Sequence, residues 1–163
     1  MSRQNNILLK VLELDEAKMQ MARWHLKKYK VVFSNGCFDV LHRGHLEYLA
    51  NSADLGDKLI IGLNSDASVK KIKGPSRPIN NEYSRSFSLA ALGFIDAVII
   101  FDAETPEELI KSLRPDVLVK GSDYSENEIV GGAFVKENGG EVKTISLTEG
   151  FSTTNIIEKI KTL

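Results

Sequence analysis

The chain has 163 residues, of which 42% are hydrophobic and 26% are charged, with a formal net charge of −1 at pH 7. This length and composition predict one soluble globular domain with a full core and leave too few residues for two ordinary domains. The near-zero net charge argues against nonspecific nucleic-acid binding, and the single cysteine excludes an intramolecular disulfide.

The N-terminal third of the sequence predicts two helices around one strand. A first helix is expected from about Glu16 to Lys28. The apolar run 31–33 predicts the first strand, and apolar residues at helical spacing over 46–53 predict the next helix. Residues 1–29 are expected to form a helical extension packed on a single domain that spans the whole chain.

Strands and helices alternate along the rest of the sequence. Further strands are predicted at 58–64, 97–101, 116–119 and 141–146. Amphipathic segments between them predict helices, one of which is expected to have Thr105 as its cap. Short continuous apolar strands that alternate with amphipathic helices predict an α/β fold, with a parallel sheet covered by helices on both faces.

Polar clusters directly follow four of the five predicted strands. They are NGCFDVLHRGH (35–45), NSDASVKKIKGPSRP (64–78), KGSDY (120–124) and TEGFSTTN (148–155). Parallel α/β sheets bind ligands beyond the carboxyl ends of their strands. We therefore expect these four clusters to converge on one ligand site.

The first cluster places His42 and His45 three residues apart at the expected start of a helix. A helix N-terminus favours anions, Gly44 lets a phosphate approach the backbone, and imidazole N–H groups suit a transferring phosphoryl group. Two other interpretations stay open. One is an ordinary helix start, and the other is a metal site with Cys37 and Asp39, which lacks the second close ligand pair of structural zinc.

The second cluster is expected to form a mobile loop that acts as a lid. It carries four cations within eight residues: Lys70, Lys71, Lys73 and Arg77. Cations on a flexible loop at a strand end suit a polyphosphate, although a solvated basic loop remains the alternative. Arg85 on the following helix is expected to reach back towards the same space.

The last two clusters add hydroxyl, amine and carboxylate groups. The final helix is expected to begin at Ser152, Thr153 and Thr154, which serve as caps or direct donors at a phosphate. Lys120 and Asp123 are expected to flank a nucleoside or substrate pocket, where Gly121 permits close approach.

These motifs resemble those of a known family. GCFDVLHRGH (36–45) is similar to the G-x-F-D-x-x-H-x-G-H signature of the nucleotidyltransferases related to cytidylyltransferases, and TEGFSTTNII (148–157) resembles their C-terminal T-E-G-x-S-T-T segment. Longer stretches at 33–60, 64–80, 118–124 and 151–160 resemble the branch that adenylylates heptose 1-phosphates. The likeness runs from about Lys30 to the C-terminus.

The resemblance implies a Rossmann-like three-layer sandwich with strand order 3-2-1-4-5. It implies a reaction in which a heptose 1-phosphate attacks the α-phosphorus of ATP in line, giving ADP-heptose and pyrophosphate, with Mg²⁺ held mainly by the phosphates. The catalytic residues it implies are His42, His45, Lys71, Lys73 and Arg85. The residues expected to bind nucleotide or phosphate are Asn35, Gly36, Cys37, Phe38, Asp39, Gly44, Lys120, Gly121, Asp123, Ser152, Thr153 and Thr154.

The expected partners are ATP and a sugar 1-phosphate, with neither nucleic acid nor membrane. The sequence has no apolar stretch of membrane-spanning length and no signal peptide, so we expect a cytoplasmic protein. Many members carry a sugar kinase in the same chain, and 163 residues leave no room for one, so a separate kinase is expected. The sequence leaves association of identical copies open.

Two alternative functions remain open at this stage. One is a cytidylyltransferase that acts on glycerol 3-phosphate or a related polyol phosphate, although Leu147 stands where that branch has arginine. The other is a nucleotide-binding regulatory module without catalysis. The histidine pair, the two lysines and Arg85 argue against that module, because a sensor does not need groups that stabilise a transition state.

Overall fold

Five strands form one parallel sheet in the computed structural model, which describes residues 2–122, 128–148 and 150–163. The strands are β1 (Val31–Gly36), β2 (Lys58–Asn64), β3 (Ala97–Phe101), β4 (Val117–Gly121) and β5 (Glu141–Ile145). Their order is β3-β2-β1-β4-β5, and every neighbouring pair is parallel. The predicted fold class and strand order are therefore confirmed.

Helices lie on both faces of this sheet. They are α1 (Arg3–Leu8), α2 (Leu14–Leu26), α3 (Arg43–Ala53), α4 (Asp66–Lys73), α5 (Glu82–Ala90), α6 (Glu107–Leu113), α7 (Gly132–Glu137) and α8 (Thr153–Lys161). None of the helices in the described ranges is long and apolar enough to cross a membrane.

Each face of the sheet has its own hydrophobic core, because successive side chains of a strand point to opposite faces. Phe33 packs with Trp24 of α2 in one cluster. Its neighbour Val32 packs with Leu49 of α3 and Leu89 of α5 in the other. This burial on both faces explains why the strands read as continuous apolar runs.

The segment after β2 corrects the sequence analysis, because it begins with a helix where we expected a mobile loop. Ser65 caps α4 by accepting a hydrogen bond from the backbone N–H of Ser68 at 3.1 Å, and Val69 is fully buried. The lysines of this segment lie in the last turn, where the helix dipole favours cations. A loop begins only at Gly74, whose φ is 95°.

Other boundaries differ because local caps differ from those predicted. Helix α2 begins two residues early, since Glu13 and Glu16 form a capping box. Helix α6 begins after Pro106, and no side chain caps it, so the predicted Thr105 cap is wrong. The chain before α2 also pairs with the sheet, through a parallel bridge between Val11 and Val98.

Candidate active site

A cleft of about 940 Å³ lies at the carboxyl ends of the strands. All four polar clusters contribute residues to its walls, because the parallel strands end at the same edge of the sheet. The loop after β3 also lines the cleft through residues 104–106, which the sequence analysis did not include. The clusters distant in sequence thus meet around one open space.

The turn after β1 projects Asp39 into this region through a strained backbone. Phe38 and Val40, on either side of Asp39, have φ values of 45° and 55°. Non-glycine residues rarely adopt this left-handed conformation, and a β-branched residue such as valine does so at a cost of about 1–2 kcal/mol. Such strain is concentrated at functional sites, where surrounding contacts hold the backbone.

Those contacts are made by Asp39 itself, which is only 2% exposed. Its carboxylate accepts hydrogen bonds from the backbone N–H groups of Ile79 at 2.8 Å and Asn80 at 3.0 Å, and from Nε of Arg77 at 2.8 Å. Burial acts to raise the pKa of this carboxyl, but the three donors outweigh it and lower the pKa below its usual value. Asp39 is therefore ionised and holds the loop that follows α4.

His42 and His45 form a stacked pair at the start of α3. Nδ1 of His42 accepts a hydrogen bond from the backbone N–H of His45 at 3.3 Å, which makes His42 the cap of the helix. The ring centroids are 3.8 Å apart, with an angle of 19° between the planes. Because Nδ1 of His42 accepts, a neutral His42 ring carries its proton on Nε2.

Both imidazoles are neutral at pH 7. Burial lowers the pKa of His42. Burial, electrostatic repulsion from His42 in its protonated form and the charge of Lys73 lower the pKa of His45 to about 4. Each ring then offers one N–H donor without a net charge. The pair suits hydrogen bonding to phosphate oxygens and does not suit proton transfer from an imidazolium at neutral pH.

We expect the free energy of unfolding to fall as the pH decreases from about 6.5 towards about 4. In that window the unfolded chain protonates His45 with its ordinary pKa of 6.5, while the folded chain, with a pKa of about 4, does not. The unfolded state binds more protons, so acid favours unfolding. Urea denaturation across this range measures the slope, and His45→Gln should flatten it. The same slope in both proteins would contradict the assigned titration.

Three buried side-chain polar atoms in the described ranges have no hydrogen-bond partner, and all three belong to residues of the cleft. They are Oδ1 of Asn35, Nδ1 of His45 and Nη2 of Arg77. Leaving such an atom unpaired costs about 1–3 kcal/mol, and most buried polar atoms in proteins are paired. Their meeting in one cleft indicates that a polar ligand completes the site.

The start of α8 forms another wall of the cleft. Ser152 caps the helix by accepting from the backbone N–H of Asn155 at 3.0 Å, and the Thr153 hydroxyl donates to the backbone oxygen of Asp39 at 2.8 Å. The exposed side chain of Thr154 also lines the cleft. Two of the three predicted hydroxyls thus bond within the protein, and the third faces the cleft.

Gly44 allows the first turn of α3 to pack against Phe151, which precedes the Ser152 cap of α8. A Cβ atom at Gly44 would lie 3.0 Å from Cβ of Phe151 and 3.2 Å from Nδ1 of His42. The Phe151 ring also lies parallel to the His42 ring, with the centroids 6.5 Å apart. Gly44 therefore has a packing reason in addition to the predicted phosphate approach.

The structure separates the two lysines that the sequence analysis grouped together. Lys73 lines the cleft, whereas Lys71 is exposed and does not. Residues two positions apart on an α-helix differ by about 200° in direction, so Lys71 and Lys73 face nearly opposite sides. Lys120 and Gly121 line the cleft at the end of β4, and Nζ of Lys120 lies 3.5 Å from the backbone oxygen of Asn35.

The predicted residue Asp123 lies outside the described residues. The remaining predicted residues, Gly36, Cys37 and Phe38, line the cleft at the end of β1. Burial raises the pKa of the Cys37 thiol, against the opposing charge of Lys73, so this group is a thiol at neutral pH. A protonated thiol is a poor nucleophile, and the site offers no thiolate for covalent catalysis.

Arg85 lies beneath the cleft instead of lining it. It is 2% exposed, and its guanidinium donates to three backbone oxygens, those of Cys37, Asn64 and Asn80, at 2.7–2.9 Å. It also donates to the Asp66 carboxylate at 2.7 Å. The family resemblance implies a contact between Arg85 and the leaving pyrophosphate; this contact stays a prediction, and in the structure these internal acceptors engage the guanidinium.

One cleft residue, Arg77, was seen in the basic segment of the sequence but was not among the predicted site residues. Its side chain is 14% exposed and pairs with Asp39, which lies 38 residues earlier in the chain. The only signal for Arg77 in the sequence was the number of cations in this segment. The sequence does not show which of these side chains face the cleft.

Most of the chain also matches known proteins. A family model described as cytidylyltransferase-like matches residues 33–159. The protein named bifunctional protein HldE of Magnetococcus marinus is 50% identical over 151 residues, which cover 93% of this chain and 31% of that protein. The HldE protein of Campylobacter concisus is 53% identical over 154 residues, which cover 94% of this chain and 31% of that protein.

A solved structure shows the same fold. The lipopolysaccharide core biosynthesis protein from Thermoplasma volcanium GSS1 superposes with a TM-score of 0.61 and 29% identity, over 74% of this chain and 97% of that one. The chain spans about a third of the length of the curated relatives it matches.

Proposed function

The chain belongs to the cytidylyltransferase-like family of nucleotidyltransferases, and we propose that it transfers AMP from ATP to a heptose 1-phosphate, giving ADP-heptose and pyrophosphate. One observation carries the proposal: the neutral pair of His42 and His45 and the start of α8 line one cleft together with the unpartnered atoms. The relatives named HldE and the lipopolysaccharide protein support the choice of a sugar.

The proposed reaction is a direct displacement at the α-phosphorus of ATP. A phosphate oxygen of the sugar phosphate forms the new P–O bond, and the bond from the α-phosphorus to the bridging oxygen breaks. Pyrophosphate leaves with the electron pair. Negative charge shifts towards the oxygens around the α-phosphorus and onto the leaving group, where N–H donors of His42 and His45 and the ammonium of Lys73 stabilise it.

Magnesium fits this site as a companion of the nucleotide and not as a resident metal. Within the described ranges, no group of three or more His, Cys, Asp or Glu side chains could hold a metal ion, and the carboxylate of Asp39 already accepts three hydrogen bonds. Mg²⁺ commonly enters such sites on substrate phosphates, where it neutralises their charge. A kinase would supply the sugar phosphate in the same compartment, which we propose is the cytoplasm.

Pyrophosphate release tests the proposal when each nucleoside triphosphate is crossed with heptose 1-phosphate and glycerol 3-phosphate. We expect the highest kcat/KM for ATP with heptose 1-phosphate. A preference for CTP with glycerol 3-phosphate would overturn the substrate assignment and favour the cytidylyltransferase. Release with none of the pairs would favour a nucleotide-binding module without catalysis.

We expect Lys73→Ala to raise KM for ATP and lower kcat, because the variant removes a cation from the cleft. A hydrogen bond to a charged group contributes about 1.5–3 kcal/mol, which corresponds to roughly 10- to 150-fold in kcat/KM. Lys71→Ala is the matched control, since it removes an exposed lysine of the same helix outside the cleft. Equal effects of the two variants on steady-state kinetics would remove Lys73 from the site.

A further inference from the structure

Arg77 lines the cleft and carries one guanidinium nitrogen without an acceptor. Its Nε donates to Oδ2 of Asp39 at 2.8 Å, while its Nη2 is buried and has no acceptor in the part of the chain that the structure describes. The side chain is 14% exposed and lines the cleft. A guanidinium held by one edge in this way keeps its remaining N–H groups in a fixed direction.

The group that holds Arg77 is itself fixed from two sides. The Asp39 carboxylate accepts from the backbone N–H groups of Ile79 and Asn80, which belong to the loop after α4. The backbone oxygen of Asp39 accepts a hydrogen bond from the Thr153 hydroxyl at the start of α8. Asp39 thus connects two walls of the cleft, and it acts as a positioning residue for the Arg77 guanidinium.

The charges on this side of the cleft favour an anion. Arg77 and Lys73 both line the cleft, and both carry charges that lower the pKa of the Cys37 thiol at the end of β1. The Asp39 carboxylate balances one of these charges. The planar guanidinium matches the oxygen geometry of a phosphate group and binds it with directed hydrogen bonds.

From this geometry we propose that Arg77 binds a phosphate oxygen of one of the two substrates through its guanidinium group. This role rests on the proposed function and adds a residue to it. The phosphate belongs either to ATP or to the sugar phosphate, and both sources offer the same acceptor chemistry.

Arg77→Lys tests the proposal, because lysine keeps a positive charge near Asp39 and lacks the second N–H group. We expect the affinity for one substrate to fall about 10- to 100-fold in calorimetric titrations, and a thermal melt confirms that the variant is folded. Arg77→Gln, which also removes the charge, should weaken binding at least as much. Arg23→Lys on the exposed side of α2 is the matched control and should bind both substrates as the wild type does.

The titrations are run separately with ATP, heptose 1-phosphate and inorganic pyrophosphate. Weaker binding of ATP assigns Arg77 to the nucleotide, and weaker binding of heptose 1-phosphate assigns it to the acceptor. Unchanged affinity for all three ligands in both folded variants would overturn the proposal. If the wild type binds neither substrate, the proposed function fails, and pyrophosphate alone then decides: weaker binding in the variants supports Arg77 as a phosphate ligand, and equal binding overturns it.

Discussion

Replacing His45 by alanine is expected to lower kcat by about 100-fold or more while the fold stays intact, as loss of one transition-state donor does in other enzymes. The imidazole is held in place by stacking on His42 and by an edge contact with Phe38, with ring centroids 5.6 Å apart. It is neutral, so the variant removes a directed N–H group and no net charge. Pyrophosphate release under saturating ATP and heptose 1-phosphate measures the effect.

The partner histidine requires a more careful substitution, because His42 also caps α3. Loss of a helix cap costs about 1 kcal/mol, so His42→Ala mixes a stability effect with a catalytic one. His42→Asn keeps an acceptor for the cap and should still lower kcat by about 100-fold. His25→Ala serves as the control, since His25 pairs with Asp116 outside the cleft. Wild-type kcat in both the His42 and His45 variants would contradict the assigned role.

Replacing Arg85 by methionine is expected to lower the free energy of unfolding by about 3–5 kcal/mol, because several acceptors lose their donor and each buried unsatisfied one costs about 1–3 kcal/mol. The variant leaves the Asp66 carboxylate and three backbone oxygens without their donor. Urea denaturation measures the change. Arg43→Met is the control, because Arg43 forms an exposed pair with Glu47 that contributes less than about 1 kcal/mol.

The same variant separates the two possible roles of Arg85. If Arg85 positions the ends of β1 and β2 through the backbone of Cys37 and Asn64, stability and activity should fall together. Lower kcat with an unchanged free energy of unfolding would show instead that the guanidinium leaves its internal acceptors and contacts pyrophosphate. Arg85→Lys should recover part of the stability, because it keeps the charge opposite Asp66.

The sheet could be predicted from the sequence because four of its five strands are mostly buried on both faces. Runs such as 58–64 and 97–101 have no polar interruption, and the structure gives them the same bounds. The strand order came from the family resemblance and is confirmed by the pairing. The loop predicted after β2 was wrong because Gly74 and the prolines are typical of a loop only at the end of the segment. At its beginning, Ser65 caps a helix.

The candidate site could be predicted in part. The position of each polar cluster directly after a strand predicted that it lies at the cleft, and all four clusters contribute residues there. The burial of Arg85 could not be predicted, because most of its acceptors are backbone oxygens. Every residue has a backbone oxygen, so the sequence does not show which of them Arg85 contacts. The direction of each lysine was missed for a similar reason, since it depends on the helical phase of α4. The pairing of Arg77 with Asp39 is a contact between distant segments that only the fold brings together.

The direct displacement at the cleft is tested most simply by ³¹P NMR of the enzyme with ATP and Mg²⁺, before and after addition of heptose 1-phosphate. We expect no pyrophosphate beyond background until the sugar phosphate is added, and then equal amounts of ADP-heptose and pyrophosphate. One equivalent of pyrophosphate per enzyme before addition would show a nucleotidyl-enzyme intermediate. That result, or the absence of ADP-heptose after addition, would contradict direct transfer from ATP to the sugar phosphate.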